Sequence, residues 1–404
     1  MKAVVFHGIG DIRLDNVGEP KLKDSGDAIV RLTASAICGT DLHMIRGTLS
    51  GMKPGRILGH EGVGVVEEAG KEVRNFKKGD RVVIGSTIGC GYCSYCRAGF
   101  YAQCDHANPK ANATAFFGSP QDDGGFDGMQ AEFVRVPFAA TNLVKLPDEV
   151  RDDEAILISD IFPTGYMAAE LADIKPGRTV AVFGCGPVGQ FAIASAMLRN
   201  AGRVFAVDTI PSRLEMARAQ GAEVIDFNRE DPVEVLKQLT GGIGVDRVID
   251  AVGVDANAPH HGPAKSSAKE HKGEQKEVAP RQNPAGGNWE PGDAPSIVFD
   301  WAMQAIAKAG TLSIIGVYPP TVKNFPIGDA MNKNLRIHMG NCNHRAYIPR
   351  LVEMVRMNAI QPTRVLTQAG PLVSAIEAYK NFDKREPGWI KVMLEPAPAP
   401  AKAA

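Results

Sequence analysis

Thr179-Val180-Ala181-Val182-Phe183-Gly184-Cys185-Gly186-Pro187-Val188-Gly189 decides the fold of this chain. The apolar, β-branched run reads as a buried strand, and it breaks at a glycine-rich turn before a helical run over 190–198. In that strand–turn–helix context, G-x-G-x-x-G is the fingerprint of a dinucleotide site. Gly184 allows the tight turn, Gly186 lets backbone approach a pyrophosphate, and Gly189 lets the helix pack on the strand. Pro187 and Val188 complete the cofactor-binding turn, and the N-terminus of the helix that follows offers unpaired N–H groups and a positive dipole end to phosphates. Cys185 is a small side chain tolerated in the turn.

Outward from this unit, strand candidates at Arg203–Asp208, 223–227 and 247–252 alternate with helical stretches, and 311–317 continues the series. The alternation predicts a doubly wound parallel sheet. Asp208 ends the second strand, where a carboxylate accepts hydrogen bonds from both ribose hydroxyls and repels a 2′-phosphate, which favours NAD over NADP. Upstream, residues 1 to about 155 carry short β-branched runs punctuated by glycine and predict a mostly β domain. Downstream come a helix near 348–357, another near 372–382 and a strand over 389–394. Residues 255–295 are rich in Gly, Pro, Ala, Lys and Glu and read as a flexible insertion with little to bury. The tail from about 396 is low in complexity and expected to be disordered.

Four of the seven cysteines, Cys90, Cys93, Cys96 and Cys104, fall within fifteen residues. Their spacing, C-x2-C-x2-C-x7-C, lets one glycine-rich loop wrap four thiolates around a tetrahedral ion, and zinc is the natural occupant. Such a closed site has no position left for substrate, so this zinc is structural. The alternative is a pair of disulfides or four core thiols.

A third constellation is split along the chain: Cys38-Gly39-Thr40-Asp41-Leu42-His43, then Gly59-His60-Glu61, then Ser159-Asp160-Ile161-Phe162-Pro163-Thr164-Gly165-Tyr166. Each piece carries a metal-competent side chain. Singly, each also fits a core cysteine, a satisfied histidine or a helix-capping aspartate.

Taken in order, C-G-T-D-x-H, G-H-E, the four-cysteine lobe and G-x-G-x-x-G resemble the zinc-dependent medium-chain alcohol dehydrogenase superfamily. The resemblance runs from Met1 to about Pro396 outside the insertion. It implies a GroES-like β-rich catalytic domain at 1–162, a Rossmann NAD-binding domain at 163–340, and a segment at 341–404 that completes the catalytic domain. It further implies a catalytic zinc on Cys38, His60 and Asp160, with Glu61 beside it as an alternative ligand. Thr40 is then the acceptor of the substrate hydroxyl proton, and His43 the group that passes it outward while hydride goes to nicotinamide. As bare residues, Thr40 is a turn residue and His43 a surface histidine. Thr164, Val252 and Val317 match cofactor-lining positions, and Lys391 matches a basic position that contacts the pyrophosphate. Arg213 either bonds the ribose or adenine or is a solvated helix arginine. Gly39 stands where several relatives have a phosphate-binding arginine.

The run around Asp160 looks like the glutathione-independent formaldehyde dehydrogenase and dismutase branch, in which insertions cover bound NAD. In most alcohol dehydrogenases a cysteine holds the position of Asp160, and a harder oxygen ligand leaves zinc a stronger Lewis acid. The short passage through Gly340-Asn341-Cys342-Asn343-His344-Arg345 departs from that branch. The expected activity is oxidation of a hydrated short aldehyde such as formaldehyde, or of a primary alcohol. Alternatives are a general alcohol or polyol dehydrogenase and, remotely, a nicotinamide-binding protein without catalysis.

Length and composition agree with this reading. The chain has 404 residues, 44% hydrophobic, and a formal charge of −1, so no basic patch marks a nucleic-acid partner. No apolar run is long enough to span a bilayer and residues 1–6 read as a strand rather than a leader, which together predict a cytoplasmic protein acting on small molecules. His106, His260 and His261 read as surface residues. The strand over 311–317 looks like the element through which family members pair, predicting a homodimer or homotetramer.

Overall fold

The computed structural model describes residues 1–109, 114–269, 271, 273–279, 288–322 and 325–396. Two compact units emerge: one contains 1–45, 49–163 and 342–404, the other 46–48 and 164–341.

The second unit is built on six parallel strands in the order Glu223–Asp226, Arg203–Asp208, Thr179–Phe183, Val245–Asp250, Ile306–Ile314 and Arg336–Met339. Alternation along the central strands explains why both faces are covered. Ala181, Phe183, Phe205, Val207 and Val248 pack with Trp301 and the helix Ile297–Ala305. Val180, Val182, Val204, Ala206 and Ile249 pack with Ala192, Ile193 and Ala196 of the helix Pro187–Leu198.

Three expectations change here. The strand expected over 311–317 runs Ile306–Ile314 and lies between two neighbours, so it offers no free edge for pairing. The edge strand beyond it is Arg336–Met339, too short and too polar in pattern to be seen in the sequence; Glu223–Asp226 forms the opposite edge. The insertion, expected to bury little, carries short helices at Pro263–Lys269 and Gln275–Val278. Its Ala256, Ala258, Ala264, Val278, Ala279, Trp289 and Ala294 are buried, because small alanines and one large indole fill space that a count of branched residues overlooks. Asp255 forms a buried ion pair with Arg46 at 2.6 Å. Parts of the insertion, residues 270, 272 and 280–287, and the tail 397–404 lie outside the described residues.

The first unit holds a seven-stranded sheet and a three-stranded sheet. Its central pair, Ala28–Ile37 and Gly62–Ala69, is antiparallel with Ser35 opposite Gly62. A side chain on Gly64 would sit 2.2 Å from the Arg31 carbonyl oxygen, so only glycine permits this close pairing. The last strand, Val392–Glu395, returns to pair with Ala28–Ile37 on its other side. Among the described residues no helix is long and apolar enough to cross a membrane.

The glycine turn yields a test of the fold. A Cβ on Gly189 would lie 1.8 Å from the Gly184 carbonyl oxygen, whereas one on Gly186 meets only Arg213 at 3.8 Å. Gly189→Ala is therefore expected to destabilise the protein by about 1–3 kcal/mol through overpacking. Gly186→Ala is expected to leave the thermal midpoint unchanged, as measured by calorimetry.

Candidate metal and dinucleotide sites

The sulfurs of Cys90, Cys93, Cys96 and Cys104 lie within 4.8 Å of one another, all buried. Cys90 Sγ and Cys96 Sγ are 4.0 Å apart, close to the ~3.8 Å set by tetrahedral zinc with bonds of about 2.3 Å. All seven cysteines are free thiols, which removes the disulfide alternative. The backbone N–H groups of Tyr92 and Cys93 donate to Cys90 Sγ, and that of Cys96 donates to Cys93 Sγ. Those of Cys90 and Ala107 donate to Cys104 Sγ. Burial opposes ionisation of Cys93, but the N–H groups of Cys96 and Asp105 bring its thiol down to about 7. A loop that turns its amides onto sulfur is suited to thiolates holding a cation. Gly91 makes the turn at φ 85, where any Cβ would strike Thr141 Oγ1.

The second cluster follows from strand register. Cys38 leaves the end of Ala28–Ile37 just as His60 and Glu61 enter Gly62–Ala69, and Ser35 Oγ donates to the Glu61 carbonyl at 3.0 Å. Asp160 ends the helix Asp152–Ser159, where Ser159 Oγ accepts from the Gly62 amide at 3.0 Å. Donor atoms of Cys38, His60, Glu61 and Asp160 thereby fall within 4.8 Å of one another. Asp160 Oδ2 is 3.5 Å from Cys38 Sγ and 3.4 Å from His60 Nε2. Tetrahedral zinc with bonds of ~2.0–2.3 Å needs donor separations of about 3.3–3.8 Å. Glu61 Oε2 is buried with no hydrogen-bond partner, an orphan that a cation would satisfy.

Several residues the sequence reading passed over support this cluster. His60 Nδ1 is 3.1 Å from Asp41 Oδ1. Asp41 Oδ2 accepts from the Cys38 amide at 3.0 Å and from Gln130 Nε2 at 3.2 Å. Tyr379 donates to Gln130 Oε1 at 2.8 Å. Asp160 Oδ1 is 2.8 Å from His344 Nε2. Asp41 stands inside the quoted C-G-T-D-L-H motif, so its place was legible; His344, Gln130 and Tyr379 carry no local signal. Burial lowers the His60 imidazole, yet Asp41 and then Cys38 raise it well above its usual value. Burial raises Asp160, but His344 and His60 hold it well below the carboxylate range. The negative field that retains a proton on His60 equally attracts a metal ion.

Lys391, matched above to a pyrophosphate-contacting position, has its partners within the first unit. It is fully buried, and its ammonium pairs with Glu61 Oε1 and donates to the Ile37 carbonyl at 3.0 Å. Its charge is thus committed to Glu61, whose carboxyl burial pushes up and Lys391 pulls back. Thr40 sits half-buried in the first turn of the helix Gly39–Arg46, and His43 is buried rather than on the surface.

In the other unit, Gly184 adopts φ 87 and a Cβ there would strike Val252. Asp208 reaches back to the turn, Oδ2 accepting from the Cys185 amide at 2.8 Å and Oδ1 from Thr209 and Ile210. Arg213 Nη1 is 3.8 Å from Asp208 and closest to the open side of Gly186. Val252 and Val317 lie on adjacent turns braced by Asp250: its Oδ1 accepts from the Val252 amide and its Oδ2 from Tyr318. Val317 O also accepts from Val254 at 2.9 Å. Thr164 precedes Gly165, where the helix Ile161–Leu171 packs so closely on Pro187–Leu198 that a Cβ would lie 2.7 Å from backbone. His106, His260 and His261 are exposed.

Comparison with known proteins agrees with this geometry. Residues 24–148 match the alcohol dehydrogenase GroES-like domain, and 187–259 match the zinc-binding dehydrogenase family. An uncharacterised zinc-type alcohol dehydrogenase-like protein of Bacillus subtilis is 38% identical over 98% of this chain and 100% of its own. A glutathione-independent formaldehyde dehydrogenase of Pseudomonas aeruginosa is 33% identical over 98% of this chain and 97% of its own. The solved alcohol dehydrogenase TADH from Thermus sp. ATN1 superposes with a TM-score of 0.81 at 31% identity, covering 98% of this chain and 100% of that one. With both metal-competent clusters, the glycine turn and full-length similarity in hand, the chain belongs to the zinc-type medium-chain alcohol dehydrogenase family.

Proposed function

We propose that this alcohol dehydrogenase-family oxidoreductase uses NAD to oxidise a hydrated short aldehyde or a primary alcohol. The observation that carries the reading is the convergence of Cys38 Sγ, His60 Nε2 and Asp160 Oδ2 at separations suited to tetrahedral zinc. When bound there, zinc supplies a Lewis acid that favours loss of the substrate hydroxyl proton. Thr40 accepts that proton and His43 carries it away. The first glycines of the turn and the helix starting at Pro187 bind the pyrophosphate; Asp208 takes the ribose hydroxyls, with Arg213 beside it. Glu61, balanced by Lys391, keeps a spare carboxylate oxygen next to the ligands. The similarity to a formaldehyde dehydrogenase and the oxygen ligand Asp160 favour an aldehyde hydrate within this class; a general alcohol dehydrogenase is the second reading, favoured by the Bacillus relative. Seven free thiols suit a reducing, cytoplasmic setting.

Four sets of measurements test this. Elemental analysis is expected to find two zinc ions per chain. Cys93→Ser should lower the unfolding midpoint through loss of the lobe metal, while Cys38→Ser should keep the fold and lose roughly a thousandfold or more in turnover, the several kcal/mol a Lewis acid provides. Cofactor preference, measured as kcat/KM, should favour NAD over NADP by at least about tenfold, or roughly 1.4 kcal/mol; equal efficiency would remove Asp208 from its role. Assembly is assigned to the edge Arg336–Met339, which ends in Met339 at 62% exposure and follows Met331 and Ile327 at 72 and 74% exposure. Light scattering should report a dimer or tetramer, and Met339→Lys, which places a charge on that exposed edge, should shift it toward monomer.

A further inference from the structure

We propose that His344 is a positioning residue of the metal cluster: by donating from Nε2 to Asp160 Oδ1, it leaves Oδ2 as the single oxygen offered to a cation. The two oxygens of Asp160 have separate surroundings. Oδ2 faces Cys38 Sγ and His60 Nε2 at 3.5 and 3.4 Å, whereas Oδ1 faces His344 at 2.8 Å. An ionised carboxylate only accepts, so the shared proton is on Nε2.

The imidazole is itself held. His344 is 2% exposed and opens the helix His344–Arg356. Its Nδ1 lies 3.0 Å from Thr87 Oγ1, whose hydroxyl donates to the Cys342 carbonyl at 3.0 Å. Gly85 leaves room for it, since a Cβ there would press on His344 Cβ at 3.3 Å. Rotation of Asp160 to present both oxygens would break the bond to His344 and leave a buried donor unpaired, which the interior penalises. A carboxylate restrained in this way adds one ligand and no more, keeping the coordination number low and the geometry fixed. The cluster is thereby braced from two sides by buried pairs of opposite composition: a carboxylate, Asp41, beside its histidine and a histidine, His344, on its carboxylate.

This inference rests on Asp160 being a metal ligand, and the experiment separates the two claims. Zinc and Co(II) affinities of the full-length protein are measured by chelator competition, with the four-cysteine zinc as an internal control on folding. His344→Phe should weaken the metal at Cys38, His60 and Asp160 by about 10- to 100-fold and alter the Co(II) d–d bands, with the lobe zinc retained. His344→Gln, whose amide can still donate, should recover most of the affinity. In an Asp160→Ala background, His344→Phe should add nothing further. Parent protein with only the lobe zinc would refute the ligand assignment itself. Parent affinity and an unchanged Co(II) spectrum in His344→Phe would overturn the role of His344 alone. If His344→Phe loses both metals, the Gln variant decides: affinity near the parent supports the role, and affinity as low as that of Asp160→Ala overturns it.

Discussion

The register between Ala28–Ile37 and Gly62–Ala69 is the constraint on which the first unit depends. With Ser35 opposite Gly62, the residues leaving one strand and entering the other are forced into one small volume. A slip by one residue would move every side chain of the strand to the opposite face. The bulges between Ile29 and Val30 and between Leu32 and Ala34 fix that register locally. Ser159 then ties a third stretch to the same pair by accepting from Gly62 and donating to the Ile84 carbonyl. Two ordinary hydroxyls thus determine where the metal-competent side chains meet.

Electrostatics completes what register begins. The ionisable groups Asp41, His60, Glu61, Asp160, His344 and Lys391 are buried around Cys38, and burying isolated charges is costly. The arrangement offsets that cost by pairing: Lys391 with Glu61, His344 with Asp160, Asp41 beside His60. Removing one member leaves its partner uncompensated. Apolar substitution here therefore differs from substitution in the strand cores, where only packing is lost.

Much of this was legible in the sequence. The turn at Gly184–Gly189 declares itself because each glycine answers a local steric demand, and the four-cysteine lobe because its ligands are neighbours in the chain. The convergence of Cys38, His60 and Asp160 was legible only through family resemblance, since no local pattern brings residues 100 apart together. His344 and the Lys391–Glu61 pair were not legible: their meaning lies wholly in which buried group each one faces. The insertion was misjudged because its residues look unremarkable in composition, yet Ala256, Ala258, Ala264 and Ala294 fill the core with Ile297 and Trp301, and Trp289 is buried as well. The edge Arg336–Met339 was missed because a four-residue strand, exposed along most of its length, shows no hydrophobic alternation.

The order in which these parts leave the ribosome differs from the order in which they are used. Apart from residues 46–48, the dinucleotide unit is one continuous stretch ending at Asn341, so all its strands are available before the segment that begins at Cys342 is made. The first unit must wait, because Val392–Glu395 pairs beside the strand that leads into Cys38, and Lys391 and His344 arrive only with that late segment. During synthesis the Ser35–Ile37 stretch of the Ala28–Ile37 edge is open, Glu61 lacks Lys391 and Asp160 lacks His344. A nascent chain truncated before residue 391 thus holds a finished nucleotide fold and an unfinished metal cluster, which makes the final strand the step that commits the chain to a working enzyme.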